Sequence, residues 1–163
     1  MQLPHSQSSY EVISVHTGTQ VRFYTSVDPG SYVPPHWHDA IEIVYLQKGS
    51  LDFTIETKSR TLLPGQCVLV NPNVIHSTKC TSPNTAIVFQ IPLKFLEAVV
   101  PDIQQRYFDL DAGAALDSER LKSLKETLEA MQYLNDPRPE GYILRFNSLL
   151  YDLLYHLCSQ YSR

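Results

Sequence analysis

The chain has 163 residues, 43% of them hydrophobic and 18% charged, which suits one well-buried domain and excludes a disordered or fibrous protein. Thirteen Lys+Arg stand against seventeen Asp+Glu, a net charge of −4 with no basic run, so the chain by itself lacks the footprint of a DNA-binding module. The N-terminus has no signal-peptide pattern and no apolar run is long enough to span a bilayer. With three scattered cysteines and no CxxC, this points to reduced thiols and a cytoplasmic setting.

Up to about residue 92 the text consists of short β-rich runs. The run at 21–27 is closed by Asp28-Pro29-Gly30, and the run at 41–47 by Lys48-Gly49-Ser50. The run at 51–57 alternates, with Leu51, Phe53 and Ile55 on one side and Asp52, Thr54 and Glu56 on the other, the period of a half-buried strand. Lys48-Gly49-Ser50 therefore reads as a hairpin turn. Runs at 67–71 and 85–91 follow Pro64-Gly65 and Ser82-Pro83-Asn84. Short strands at such intervals predict an all-β sandwich or barrel over residues 1–92.

After Pro92 the period becomes helical. A short helix over 93–100 ends at Pro101. A second runs over 117–134, with Asp117 as its N-cap. Its apolar positions Leu121, Leu124, Leu128 and Met131 form a narrow heptad-like seam, expected to be a dimer interface, the alternative being that the helices simply cap the barrel. Asn135-Asp136-Pro137-Arg138-Pro139 breaks it, and a last helix over about 140–160 carries Ile143, Phe146, Leu150, Leu153, Leu154 and Leu157. The expected architecture is mainly β, a single barrel followed by a helical hairpin over 93–163.

The chemistry lies between Gly30 and Cys80. On an extended chain His36 and His38 point to one side, and Glu42, an even number of residues on, joins them if the strand is regular. His76 follows the turn after the run at 67–71. Three imidazoles and a carboxylate suit one divalent transition metal such as zinc, nickel, iron or manganese, with open positions for a ligand. The same four residues also serve hydrogen bonding within a barrel, or direct contact with an effector. Tyr24, Tyr32, Trp37, Phe53 and Gln90 are candidates for the wall of a ligand cavity, since small barrels hold one small ligand. His5 and His16 are expected in a mobile N-terminal arm, and His156 as a packed or surface residue.

Gly30, His36, His38, Glu42 and Gly49 match the first cupin motif, G-x5-H-x-H-x3-E-x6-G, at every fixed position. The second motif keeps Gly65 and His76, but Asn71, Asn73 and Cys80 replace its Pro, Gly and Asn. Asn73 is compatible with the left-handed backbone that Gly favours. The stretch 34–77 further resembles the N-terminal sensor domain of AraC-family transcriptional regulators. It shows Glu42-Ile43-x-Tyr45 leading to Gly49, then Leu62-x-Pro64-Gly65 with Gln66 where Asp is usual, then Pro72-Asn73-x-x-His76. The tail after 92 resembles that family's dimerisation region.

The resemblance implies a jelly-roll cupin barrel that binds a small-molecule effector, a homodimer built by the helices, and DNA contact only through a helix-turn-helix domain outside these residues. Two other functions fit the motif: a metal-dependent cupin enzyme, such as a dioxygenase or isomerase, and a plain carbohydrate- or metal-binding module. The long helical tail favours the sensor, because paired DNA half-sites require a dimer.

Overall fold

The computed structural model describes residues 8–110 and 118–163. Among them, two sheets face each other. In one the spatial order is β1 (Ser9–Tyr10), β3 (Tyr32–Trp37), β8 (His76–Lys79), β5 (Leu51–Ile55) and β6 (Lys58–Leu62); in the other it is β2 (Arg22–Asp28), β9 (Asn84–Pro92), β4 (Ala40–Lys48) and β7 (Cys67–Val70). Apart from the parallel β1–β3 pair, the ladders are antiparallel. The chain crosses between sheets at almost every connection, giving the expected jelly roll. Three helices follow: α1 (Leu93–Val99), α2 (Ser118–Asn135) and α3 (Tyr142–Gln160). Asp117 and His5 lie outside the described residues. Among those described, no helix is long and apolar enough to cross a membrane.

The runs anticipated from alternation became β2, β4, β5, β7 and β9. β6 (Lys-Ser-Arg-Thr-Leu) is a polar edge strand, β8 is short and polar, and β3 contains Pro34-Pro35, so none of these carries the apolar signal of a strand. The turn at Gly49 has φ +81°, and a Cβ there would lie 2.3 Å from the Pro83 carbonyl oxygen, so only glycine fits. Asn73 has φ +65°, in the left-handed region as expected.

The four-stranded sheet has two apolar faces, which explains the unbroken burial of β4 from Ala40 to Leu46. Val44 and Leu46, with Val68, Val70 and Ala86, face inward to Leu51, Phe53 and Leu62 of the opposite sheet. The alternate residues Ile41, Ile43, Tyr45, Ile87, Phe89 and Ile91 face outward into a core shared with Phe146, Leu150, Leu153, Leu154 and Leu157 of α3. One hydrophobic core thus spans the change of character near residue 92.

The expected dimer seam is corrected by this packing. Leu124, Leu128 and Met131 are at most 1% exposed within the single chain and belong to that same core, with Leu121 at its margin. The exposed apolar positions left by this arrangement are Leu144, Tyr151 and Tyr155 of α3, on the face opposite its core residues, and Tyr133 of α2.

Between the sheet and α2 lies a polar seam. The Tyr45 hydroxyl donates to Glu129 (2.6 Å), and Gln47 and Gln132 exchange amide bonds at 2.8 and 2.9 Å. Gln132 also donates to Thr25 Oγ1 at 2.9 Å, and Asn135 donates to the Phe23 carbonyl at 3.1 Å.

Candidate metal and effector site

The strands bring His36, His38, Glu42 and His76 together, but not as one strand face. His36 closes β3 in one sheet, and Glu42 sits in β4 of the other. His38 occupies the crossing between them. The convergence arises because the chain changes sheets at His38-Asp39, which turns residues on both sides of the crossing into the space between the sheets. His36 pairs directly with His76 across the β3–β8 ladder, their ring centroids 4.2 Å apart. A register shift at Pro34-Pro35 precedes this pair.

The tautomers follow from the neighbours. His36 Nδ1 lies 2.9 Å from the Pro34 carbonyl and His76 Nδ1 lies 2.9 Å from the Val74 carbonyl. A carbonyl only accepts, so each Nδ1 carries the hydrogen and each Nε2 keeps its lone pair for the cavity. The ligand nitrogens of His36, His38 and His76 all lie within 4.8 Å of one another. Glu42 adjoins two of the three, 3.0 Å from His76 Nε2 and 3.8 Å from His38 Nε2. Its other support is Gln90, whose Nε2 donates to Oε1 at 2.7 Å.

This cluster has orphaned polar atoms. Both ring nitrogens of His38 are buried without a hydrogen-bond partner, and His76 Nε2 touches Glu42 without the alignment of a hydrogen bond. A neutral Nε2 lone pair 3.0 Å from a carboxylate oxygen needs a proton or a cation between them, and buried polar atoms left unpaired are costly. The donor set, three imidazoles and one carboxylate, fits a first-row divalent ion.

Electrostatics run the same way. Burial pushes the Glu42 carboxyl upward, but the His38 and His76 imidazoles outweigh it and hold the group well below the usual carboxylate range. Burial disfavours the charged form of His38, yet Glu42 and more distant Glu11 raise its pKa on balance. His36 is lowered, first by burial and then by the neighbouring His76.

A cavity of about 200 Å³ opens from this cluster between the sheets. Of the five expected wall residues, Tyr24, Phe53 and Gln90 line it; Tyr32 and Trp37 do not. Strand parity explains both corrections. Val33 and His36 face the cavity, so Tyr32 points outward, 62% exposed beside Asp52 and Thr54, and Trp37 packs against Tyr10, the rings tilted at 54° with centroids 4.7 Å apart. Phe53 lies parallel to the His76 ring, 6.0 Å away at 2°.

Glu11 went unread in the sequence because nothing in its surroundings is patterned. The short parallel pairing of β1 with β3 brings it to the cavity mouth, 3.4 Å from His36 Nε2 and 3.8 Å from Arg22. Arg22 in turn covers the Tyr24 ring at 4.5 Å and approaches Gln90 Oε1 at 3.4 Å. His16 is not in a mobile arm either. It accepts from the Gly18 N–H at 3.2 Å, and its Nε2 lies 3.3 Å from the Tyr142 hydroxyl of α3. His156 is half-buried beside Gln160, 3.4 Å away.

The model of the AraC-like ligand binding domain matches residues 20–154 of this chain. The chain belongs to that family. Probable transcriptional regulator LumQ from Photobacterium leiognathi is 34% identical over 77 residues, 47% of this chain and 31% of that protein. The match therefore spans less than a third of that relative. Similar solved structures include KdgF from a Halomonas species, with 23% identity, 48% of this chain, 74% of the other and TM-score 0.43. A cupin from Shewanella frigidimarina has 20% identity, 45% and 68% coverage, and TM-score 0.43. In this AraC-type domain the imidazole cluster and the lining of the 200 Å³ cavity other than Glu11 lie inside the matched residues.

Proposed function

We propose that this chain is the effector-sensing and dimerisation part of an AraC-type transcriptional regulator, with a small molecule held between the sheets beside one divalent transition metal. The observation that carries the metal is the orphaned imidazole cluster around Glu42. His36, His38, His76 and Glu42 would hold the ion. When bound it supplies a Lewis-acidic centre that polarises a coordinated oxygen. Gln90 orients Glu42, and the Pro34 and Val74 carbonyls fix the two Nδ1–H tautomers. Tyr24 and Phe53 offer aromatic walls to an organic ligand.

Sensing rather than turnover is supported by what lies behind the cavity. Glu42, Val44, Ala86 and Gln90 face it, while their neighbours in the same strands face α2 and α3. A ligand that shifts the sheet acts directly on the helices. The exposed stripe Leu144, Tyr151 and Tyr155, rather than the buried Leu124–Met131 seam, is the surface offered to a second copy. DNA contact belongs to a domain outside these residues, in keeping with the net charge of −4.

The test is a thermal-shift screen of small molecules with the metal-loaded chain, followed by recovery of each stabilising compound. A sensor returns its ligand unchanged after prolonged incubation; conversion to product would establish the enzyme instead. Full-length regulator carrying His38→Ala should lose its effector response in a reporter assay.

A further inference from the structure

The jelly roll is not closed. β6 and β7 are each an edge strand of their respective sheets. The Arg60 guanidinium spans the gap between them, donating to the Cys67 carbonyl at 2.8 Å. Behind this bridge lies a second cavity of about 360 Å³, larger than the one at the imidazoles.

Its construction is that of a held space, not a packing fault. Residues 107–110 roof it. Asn71 pins that roof as a neighbouring strand would, its Nδ2 donating to the Phe108 carbonyl at 2.8 Å and its Oδ1 accepting from the Phe108 N–H at 2.9 Å. Tyr107 and Arg163 exchange two backbone bonds at 2.8 and 2.9 Å on the other side. A cleft of this size, with its roof pinned at both margins, has room for a small organic molecule.

The lining states the chemistry of that occupant. The floor is apolar: Phe53, Ile55, Val68, Val70 and Val74. The rim carries charges of both signs, Lys58 and Arg60 with Glu56 and Asp109. The imidazole cavity differs, since its lining holds Glu11, Asp28 and Glu42 and neither Lys nor Arg. Phe53 forms part of both walls and separates the two spaces.

We propose that the cavity between β6 and β7 is a second small-molecule site, distinct from the imidazole cavity, that takes a compact zwitterion with an apolar side chain, an apolar amino acid. The side chain rests on Phe53 and the valines, the carboxylate faces Lys58 and Arg60, and the ammonium faces Glu56 and Asp109.

Phenylalanine is the probe, titrated into the chain while the methyl resonances of the valines are followed by NMR. Saturable shifts at Val68, Val70 and Val74 are expected. 3-Phenylpropionate and phenethylamine, each lacking one charge, should bind about tenfold more weakly. Val74→Trp, at a half-buried position, should abolish binding by filling the space, and Lys58→Gln, at an exposed one, should weaken it about threefold. His38→Ala and chelator should leave it unchanged, so failure of the metal reading and failure of this site are separable. Shifts confined to Val33, Val44 and Val88, an absence of saturation, or equal binding of phenylpropionate would each overturn the proposal.

Discussion

Replacing Gln90 by Leu tests how the site is held. Gln90 is 2% exposed, and its Nε2 donates to Glu42 Oε1 at 2.7 Å. Leu keeps the shape and removes the donor. A hydrogen bond to a charged group is worth about 1.5–3 kcal/mol. At about 1.4 kcal/mol per tenfold, that is roughly a ten- to hundredfold loss of affinity for an ion that needs Glu42 oriented, the scale typical of removing a group that orients a ligand. The half-exposed Arg22 contact to Gln90, 3.4 Å, adds little. Zinc affinity is read by competition with a chelating dye at constant pH, with circular dichroism confirming the fold. If the variant stays folded and its affinity remains within about twofold of the parent, orientation of Glu42 by Gln90 is not part of the metal site.

Three further outcomes are expected. The metal-free chain should lose stability in two pH windows. Glu42 is depressed, so its contribution is present above the unfolded value of about 4.3 and fades as pH falls through the folded one; His38 is raised, so its contribution is present below about 6.5 and fades as pH rises through the folded value. Melting curves in chelator across pH should show both, and Glu42→Gln should remove the upper one. Leu128→Ala should cost about 3 kcal/mol and lower Tm by about 6–12 °C, while Leu124→Lys with Leu128→Lys should unfold the chain instead of yielding a folded monomer. Tyr151→Glu with Tyr155→Glu should leave the fold intact and abolish the dimer in sedimentation; a dimer that persists moves the interface off α3.

Much of the fold was legible because burial leaves a period in the text. β5 alternates, β4 is apolar from Ala40 to Leu46 except at Glu42 because it is buried on both faces, and α3 carries its stripe of Phe146 to Leu157. Where the same physics has two solutions the sequence is silent. An apolar seam on α2 reads alike whether it meets a second copy or the chain's own sheet, and Leu128 meets the sheet. The convergence of His36, His38 and Glu42 was expected from spacing and that of His76 from the family motif, although the strand-face reason was incomplete, since a change of sheet lies between His36 and Glu42. Residue type misled at Trp37 and Tyr32, where an aromatic ring suggested a wall and the pleat turned both outward. Glu11 depends on a two-residue parallel pairing that leaves no pattern to read.

Titrating the chelator-stripped chain with zinc tests most directly whether the space between the sheets is a binding site. One equivalent should bind saturably and raise Tm, since a ligand selective for the folded state stabilises it. Binding should weaken below about pH 6, as the imidazoles protonate, and should vanish in His38→Ala while the barrel stays folded. If neither zinc, nickel, iron nor manganese binds saturably to the folded chain, the metal centre at His36, His38, Glu42 and His76 is contradicted.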